Sequence, residues 1–180
     1  MGPKFARQTG HRVGPARTSP PCRRLGDVTN PAEKFATPRI ASGALFVDGS
    51  RVLLVRKTYG NRWDIPGGYV DHGESPAAGC RREVREELGL EFAPTRLLVH
   101  DWAPSEGEGD KILYVFGCGE SRINTSLITL DGVELDRWKW VAIDQLSDLV
   151  IPRLARRLAR AHEAHRTSST LYLEHGEVAL

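Results

Sequence analysis

An α/β layered fold built on a mixed sheet is what this sequence predicts, on three observations. Two runs rich in β-branched and aliphatic residues, Ile40 to Val47 and Arg51 to Lys57, flank the turn-forming Asp48-Gly49-Ser50 and read as a β-hairpin. An amphipathic helix over residues 76 to 88 follows, and strand-like and helical segments alternate behind it. The chain of 180 residues, 40% hydrophobic, has room for one such core with tails. The globular pattern occupies residues 37 to 165.

Ahead of it, residues 1 to 30 hold Lys4, Arg7, Arg12, Arg17, Arg23 and Arg24 against Asp27 alone, in a Pro-, Gly- and Ser-rich context without apolar periodicity. Residues 1 to 36 are therefore expected to form a disordered basic tail. Residues 31 to 180 carry 19 basic and 22 acidic residues, a net charge of −3, so the overall pI near 8.5 belongs to the tail. No specific nucleic-acid binding is expected from it.

The helix of residues 76 to 88 has its punctuation in place: Ser75 as N-cap, Pro76 at the first helical position and Gly89 where the helix stops. Ala77, Cys80, Val84 and Leu88 recur every three or four residues and form a narrow stripe for the core. Leu97 to Trp102 and Lys111 to Cys118 read as strands, joined by the polar, glycine-rich Ala103 to Asp110, which is expected to border a cleft. Trp138 to Ile143 is a further strand. A second helix starts near Pro152, with Ile151, Leu154, Leu158 and Ala161 inward and Arg153, Arg156, Arg157 and Arg160 largely outward. Residues 166 to 180 form a C-terminal tail or a short strand.

Several function classes drop out. No apolar run approaches the ~20 residues that span a bilayer, and the amino terminus lacks the apolar segment of a signal peptide, so the expectation is a cytoplasmic protein that does not engage membranes. Cys22, Cys80 and Cys118 are odd in number and form no CxxC pair, which argues against a disulfide framework or a zinc site. His162 and His165 are three apart where HExxH needs four. His72 and His100 read as ordinary surface or core histidines.

The chemistry lies in Gly68 to Leu90. Glu83, Glu86 and Glu87 stand at i, i+3 and i+4, within about 100° of arc on one helix face. Three converging carboxylates repel one another unless a cation is present, and hard oxygen ligands suit Mg²⁺ or Mn²⁺. Such sites serve phosphoryl or nucleotidyl transfer. Arg82 adjoins Glu83 and precedes Glu86 by four residues, so its planar fork can orient a glutamate and offset the repulsion.

This stretch resembles the Nudix hydrolase signature, with Gly68, Glu74, Arg82-Glu83, Val84, Glu86-Glu87, Gly89 and Leu90 at its fixed positions. The resemblance implies a Nudix-type α/β/α sandwich with a mixed β-sheet, over roughly residues 37 to 165. It implies metal ligation by Glu83, Glu86, Glu87 and the carbonyl of Gly67, orientation of Glu83 by Arg82, and an auxiliary role for Glu74. Trp63-Asp64-Ile65-Pro66-Gly67-Gly68 resembles the usual approach to the box, with Trp63 read as core packing. MutT-like members add an acid from a distant loop; Glu134, six residues before Trp140, is the candidate, with Asp131, Asp136 and Glu120 as rivals. Glu87 and Glu134 are the two candidate general bases.

Arg56 and Lys57 are candidate phosphate-binding cations, against the alternative of a solvated strand face. The implied activity is Mg²⁺-dependent hydrolysis of a nucleoside diphosphate linked to another moiety, a small-molecule nucleotide substrate, by a chain for which a homodimer is compatible. A MutT-like (d)NTP substrate is favoured by elimination. The proline of ADP-ribose members, 15 or 16 residues past the box, falls on Ser105 and Glu106 with Pro104 one residue early; the tyrosine of dinucleoside-polyphosphate members is absent. ADP-ribose or nucleotide-sugar pyrophosphatase is the alternative activity. A nucleotide-binding sensor and a diphosphate isomerase are the rivals of other classes.

Overall fold

A computed structural model describes residues 35–60, 62–117, 123–130 and 132–180. Cys22, Cys118, Glu120, Asp131 and the basic segment up to residue 34 lie outside the described residues.

β1 (Arg39–Leu45), β5 (Gly67–Tyr69), β6 (Arg96–Trp102), β7 (Lys111–Gly117), β9 (Leu171–Glu174) and β10 (Glu177–Val178) make one sheet in the order β10-β9-β6-β7-β1-β5. It is mixed: β1 with β7 and β6 with β9 run parallel, the other pairs antiparallel. β2 (Val47–Asp48), β3 (Arg51–Lys57), β4 (Trp63–Asp64) and β8 (Leu135–Ala142) make a second, antiparallel sheet centred on β3. Helix α1 (Pro76–Leu88) and helix α2 (Pro152–Thr167) lie on opposite sides.

The alternation of side chains along a strand explains the layering. On β3, Val52 and Leu54 join Leu154, Leu158 and Ala161 of α2, while Leu53 and Val55 join Cys80, Val84 and Leu88 of α1. Buried on both faces, such a strand reads as an unbroken apolar run. Burial and the nearby Glu83 charge push the Cys80 thiol up to about 12.

The hairpin expected over residues 40–57 is divided. β1 ends at Leu45, and only Val47 and Asp48 turn back on β3 through Gly49, which has φ 61°. The run 40–47 thus serves both sheets, passing between them at the buried Phe46. Alternation dictates which face a residue takes but not which strand it pairs with. β8 starts at Leu135, three residues before the expected Trp138. The C-terminal stretch forms β9 and β10, closing the edge of the first sheet.

Two positions on the second helix depart from expectation. Ile151 is 51% exposed because it is the extended N-cap, one residue before the helical face begins. Arg157 is buried: its Nε donates to Asp101 Oδ2 at 2.5 Å, and Asp101 Oδ1 accepts the Gly176 N–H at 3.1 Å. Asp101 therefore joins β6, α2 and the β9–β10 turn. No described helix is long and apolar enough to cross a membrane.

Removing one member of a buried ion pair strands the other charge without water or partner. Asp101→Ala is expected to destabilise the fold by about 3–5 kcal/mol, read as a lower urea midpoint, whereas Asp101→Leu combined with Arg157→Met is expected to restore most of the loss.

Candidate functional site

Helix α1 begins as its sequence dictates. Ser75 Oγ accepts the Ala78 N–H at 3.2 Å, and the helix stops at Gly89, left-handed at φ 67°, whose N–H returns to the Arg85 carbonyl at 3.0 Å. With the stripe of Cys80, Val84 and Leu88 buried, the face bearing Glu83, Glu86 and Glu87 turns toward β5.

Arg82 holds that face together. Its Nε and Nη2 grip both oxygens of Glu74 at 3.2 and 3.1 Å, its Nη1 donates to Glu83 at 2.8 Å and Glu86 at 3.1 Å, and its Nη2 also reaches the Tyr69 carbonyl at 3.0 Å. The surrounding carboxylates, Glu74 foremost, raise its pKa further above an already high value. Glu74 is held below the usual carboxylate range by Arg82 and by the Asp71 N–H at 3.1 Å. One guanidinium thus ties the box loop to the glutamates.

Glu87 is handled differently. It is 6% exposed, and the Gly67 N–H donates to its Oε2 at 2.7 Å. Burial, assisted by Glu83 and Asp64 and opposed by Gly67 and Lys57, pushes its pKa up to about 8. Glu83 is also raised, first by burial, against Arg82, with Glu86 and Glu134 adding repulsion. Glu134, the residue before β8, is therefore within electrostatic reach of the cluster.

Backbone approach requires the double glycine. Gly67 has φ 147°, and a Cβ there would sit 2.3 Å from the Ser42 carbonyl oxygen; a Cβ on Gly68 would sit 2.4 Å from Glu83 Oε1. Gly67 is placed against Glu87 through its N–H, whereas the sequence drew attention to its carbonyl. Among the described residues no three acid, histidine or cysteine side chains are already gathered at metal-holding distances. The glutamates are spread between Arg82 and Gly67.

The structure separates the two candidate cations. Arg56 pairs with Asp136 through Nε, at 2.8 Å from Oδ1, and Nη2. Alternation along β3 gives Lys57 the face of Leu53 and Val55, toward α1 and its acids, while the register shift leaves Asp136 of β8 as the extra residue. There burial opposes its charge, but Asp64, Tyr59 and Glu87 outweigh it and raise its pKa. Asp136, a rival for the distant acid, is occupied by Arg56. Trp63 packs against the core, with Lys139 Nζ 4.4 Å above its ring. His100 is stacked on Tyr114 at 4.9 Å, and His72 is exposed on the box loop.

Two residues were not singled out from sequence. Asp64 is raised by burial, against Lys57, the Ile65 N–H and the more distant Arg157 and Lys111; the available signal was an acid between Trp63 and Ile65. Lys111 bonds Glu108 of the β6–β7 loop and lies over Tyr69; nothing local marks it.

An arginine-clamped, glutamate-bearing helix behind a double glycine, set beside two sheets, is the arrangement of a Nudix domain. Residues 37–164 match the NUDIX domain family, and the chain belongs to that family. Among its relatives, the "Putative ADP-ribose pyrophosphatase YjhB" of Bacillus subtilis is 36% identical over 76 residues, which span 42% of this chain and only 36% of that protein. The RNA pyrophosphohydrolase of Bartonella bacilliformis is 28% identical over 123 residues, 57% of this chain and 72% of that one. The crystal structure of a MutT protein from Methanosarcina mazei Go1 shares the fold, with a TM-score of 0.59 at 24% identity, covering 74% of this chain and 98% of the other.

Two outcomes are expected. Gly68→Ala, whose Cβ would collide with the Glu83 carboxylate, is expected to keep the fold but abolish the Arg82–Glu83 geometry, checked by circular dichroism alongside a crystal structure. The second concerns pH. In metal-free protein Glu87 holds its proton up to about pH 8, against an unfolded value of 4.5, so its contribution to stability is complete below 4.5 and is lost as pH rises to about 8. Thermal melts of the wild type are expected to fall more steeply between pH 5 and 8 than those of Glu87→Gln.

Proposed function

We propose that this chain is a Mg²⁺- or Mn²⁺-dependent pyrophosphohydrolase that cleaves a phosphoanhydride bond in a nucleoside diphosphate linked to another moiety. The observation that carries this reading is the juxtaposition of Glu83, Glu86 and Glu87 on one face of α1, with Arg82 clamping two of them and the Gly67 N–H anchoring the third. Their chemistry fits a hard divalent ion: the donors are carboxylate oxygens, and Glu87 is buried where its ionised form has no full counterion among the side chains. Glu83, Glu86 and Glu87 would hold the ion, with Glu134 and the Gly67 carbonyl as further ligands. When bound, it would neutralise the diphosphate and lower the pKa of a water.

The chain's own residues supply position and charge. Arg82 fixes the Glu83 and Glu86 carboxylates so that little reorganisation is needed when substrate arrives. Lys57, turned toward the acids, is placed to pair with a substrate phosphate, and Glu74 anchors Arg82 and orders the box loop. Glu87 or Glu134 takes the proton of the attacking water. The favoured substrate is a (d)NTP, giving a (d)NMP and pyrophosphate, since Ser105 and Glu106 stand where ADP-ribose members have proline. ADP-ribose hydrolysis to AMP and ribose phosphate is the second reading, favoured by the name of the Bacillus subtilis relative. A cytoplasmic enzyme acting on small nucleotides is part of this reading.

The test is turnover of a panel of (d)NTPs, ADP-ribose and nucleotide sugars with Mg²⁺. Glu86→Gln and Glu87→Gln are expected to lower kcat on the order of 10²–10⁴-fold, and Arg82→Lys about 10–100-fold through a loosened clamp. Equal turnover by wild type and variants would remove the catalytic assignment. Tight nucleotide binding without turnover by any of them would favour a sensor.

A further inference from the structure

Beside the carboxylates, at the open end of the β1–β5 pair, lies a pocket of about 620 Å³ walled by Arg39 and Ile40, Tyr69 and Val70, and Asp71 and His72. Its volume falls in the ~300–1,000 Å³ range of small-molecule sites. The Tyr69 ring is 41% exposed, and Arg39 lies over it with the guanidinium carbon 6.0 Å from the ring centroid. An arginine backed by an aromatic ring presents a flat face suited to stacking.

The ring is also fixed in place. Its hydroxyl donates to Glu108, which takes the Lys111 ammonium and, at 3.3 Å, the Ser105 hydroxyl; these contacts, Lys111 foremost, hold the Glu108 carboxyl down to about 2. Lys111 Nζ lies 5.1 Å from the Tyr69 centroid. The β6–β7 loop thus braces the pocket wall from behind.

The pocket shares parts with the clamp. The Tyr69 carbonyl receives Arg82, Asp71 Oδ2 lies 3.7 Å from Arg82 Nε, and Glu74, Arg82's bidentate partner, stands at the rim. Arg82 already pairs with Asp71 and Glu74, and with Arg39 the rim sets two cations against two acids. A phosphate would meet little net attraction there, whereas an uncharged heterocycle with donors and acceptors would meet a flat wall and a polar rim.

We infer that this pocket takes the nucleobase end of the substrate, with Arg39 and Tyr69 as its specificity-determining residues. The inference rests on the pyrophosphohydrolase reading, and it places the base across Arg82 from the glutamates that would handle the phosphates.

The experiment is titration calorimetry of the full chain with α,β-methylene-dGTP and, separately, with inorganic pyrophosphate, both in Mg²⁺. Tyr69→Leu and Arg39→Ala are each expected to weaken the nucleotide analogue about tenfold or more while leaving pyrophosphate within about twofold. Unchanged binding of the analogue, or an equal loss for both ligands, would overturn the inference; the second result would mean that Tyr69 acts only by supporting Arg82. Should Tyr69→Leu fail to fold, Arg39→Ala, at an exposed strand start, decides alone by the same criterion. Because binding is read without turnover, a chain that holds the analogue through these residues but hydrolyses nothing would keep the pocket and remove the hydrolase.

Discussion

Burial of Glu83 and Glu87 beside a core, with the repulsion among Glu83, Glu86 and Glu87 added to it, is the constraint on which the rest of the site depends. An α-helix that carries carboxylates at i, i+3 and i+4 cannot leave them unpaired beside a core. The chain answers with one guanidinium and one backbone N–H. Arg82 takes Glu83 and Glu86 and is itself steadied by Glu74 and the Tyr69 carbonyl; Gly67 takes Glu87. Both answers need a closely packed loop, which leaves no room for a Cβ on Gly68 against Glu83 of the helix or on Gly67 against the β1 backbone at Ser42 and Gly43.

That contact demands a rigid base. β1 and β3 supply it because their residues are buried on alternate faces, one set under α1 and the other under α2. Moving either strand would disturb both helices. The Asp101–Arg157 pair adds a polar tie between the first sheet and α2, extended by Gly176 to the last two strands. Polar groups so buried are satisfied only in one arrangement, so they specify how α2 sits.

Charge is organised around the clamp in a gradient of exposure. Glu87 is buried and reluctant to ionise, Glu83 is intermediate, and Glu86 and Glu134 lie open to solvent. A divalent ion arriving from outside would meet exposed acids first and a buried one last. Lys57 and Asp64 stand on the far side of Glu87 and counterbalance each other across β3 and β4. The site is thus strongly polarised without relying on net charge.

Much of this was legible in the residues in order. The caps of α1, its apolar stripe, the acidic face and the nearness of Arg82 to Glu83 and Glu86 follow from helical spacing, because every partner lies within one or two turns. The two-sided burial of Leu53 and Leu54 follows from an unbroken apolar run. Other features depended on residues far apart in the chain. That Arg56 meets Asp136 rests on a one-residue register shift that makes Asp136 the extra residue on β8; that Arg157 points inward rests on Asp101, 56 residues earlier. Helical period predicts which residues share a face, and it determined the chemistry of α1. Which cation meets which acid across two sheets was decided by strand register and the demand that buried charge be paired, and these exist only once the chain has folded.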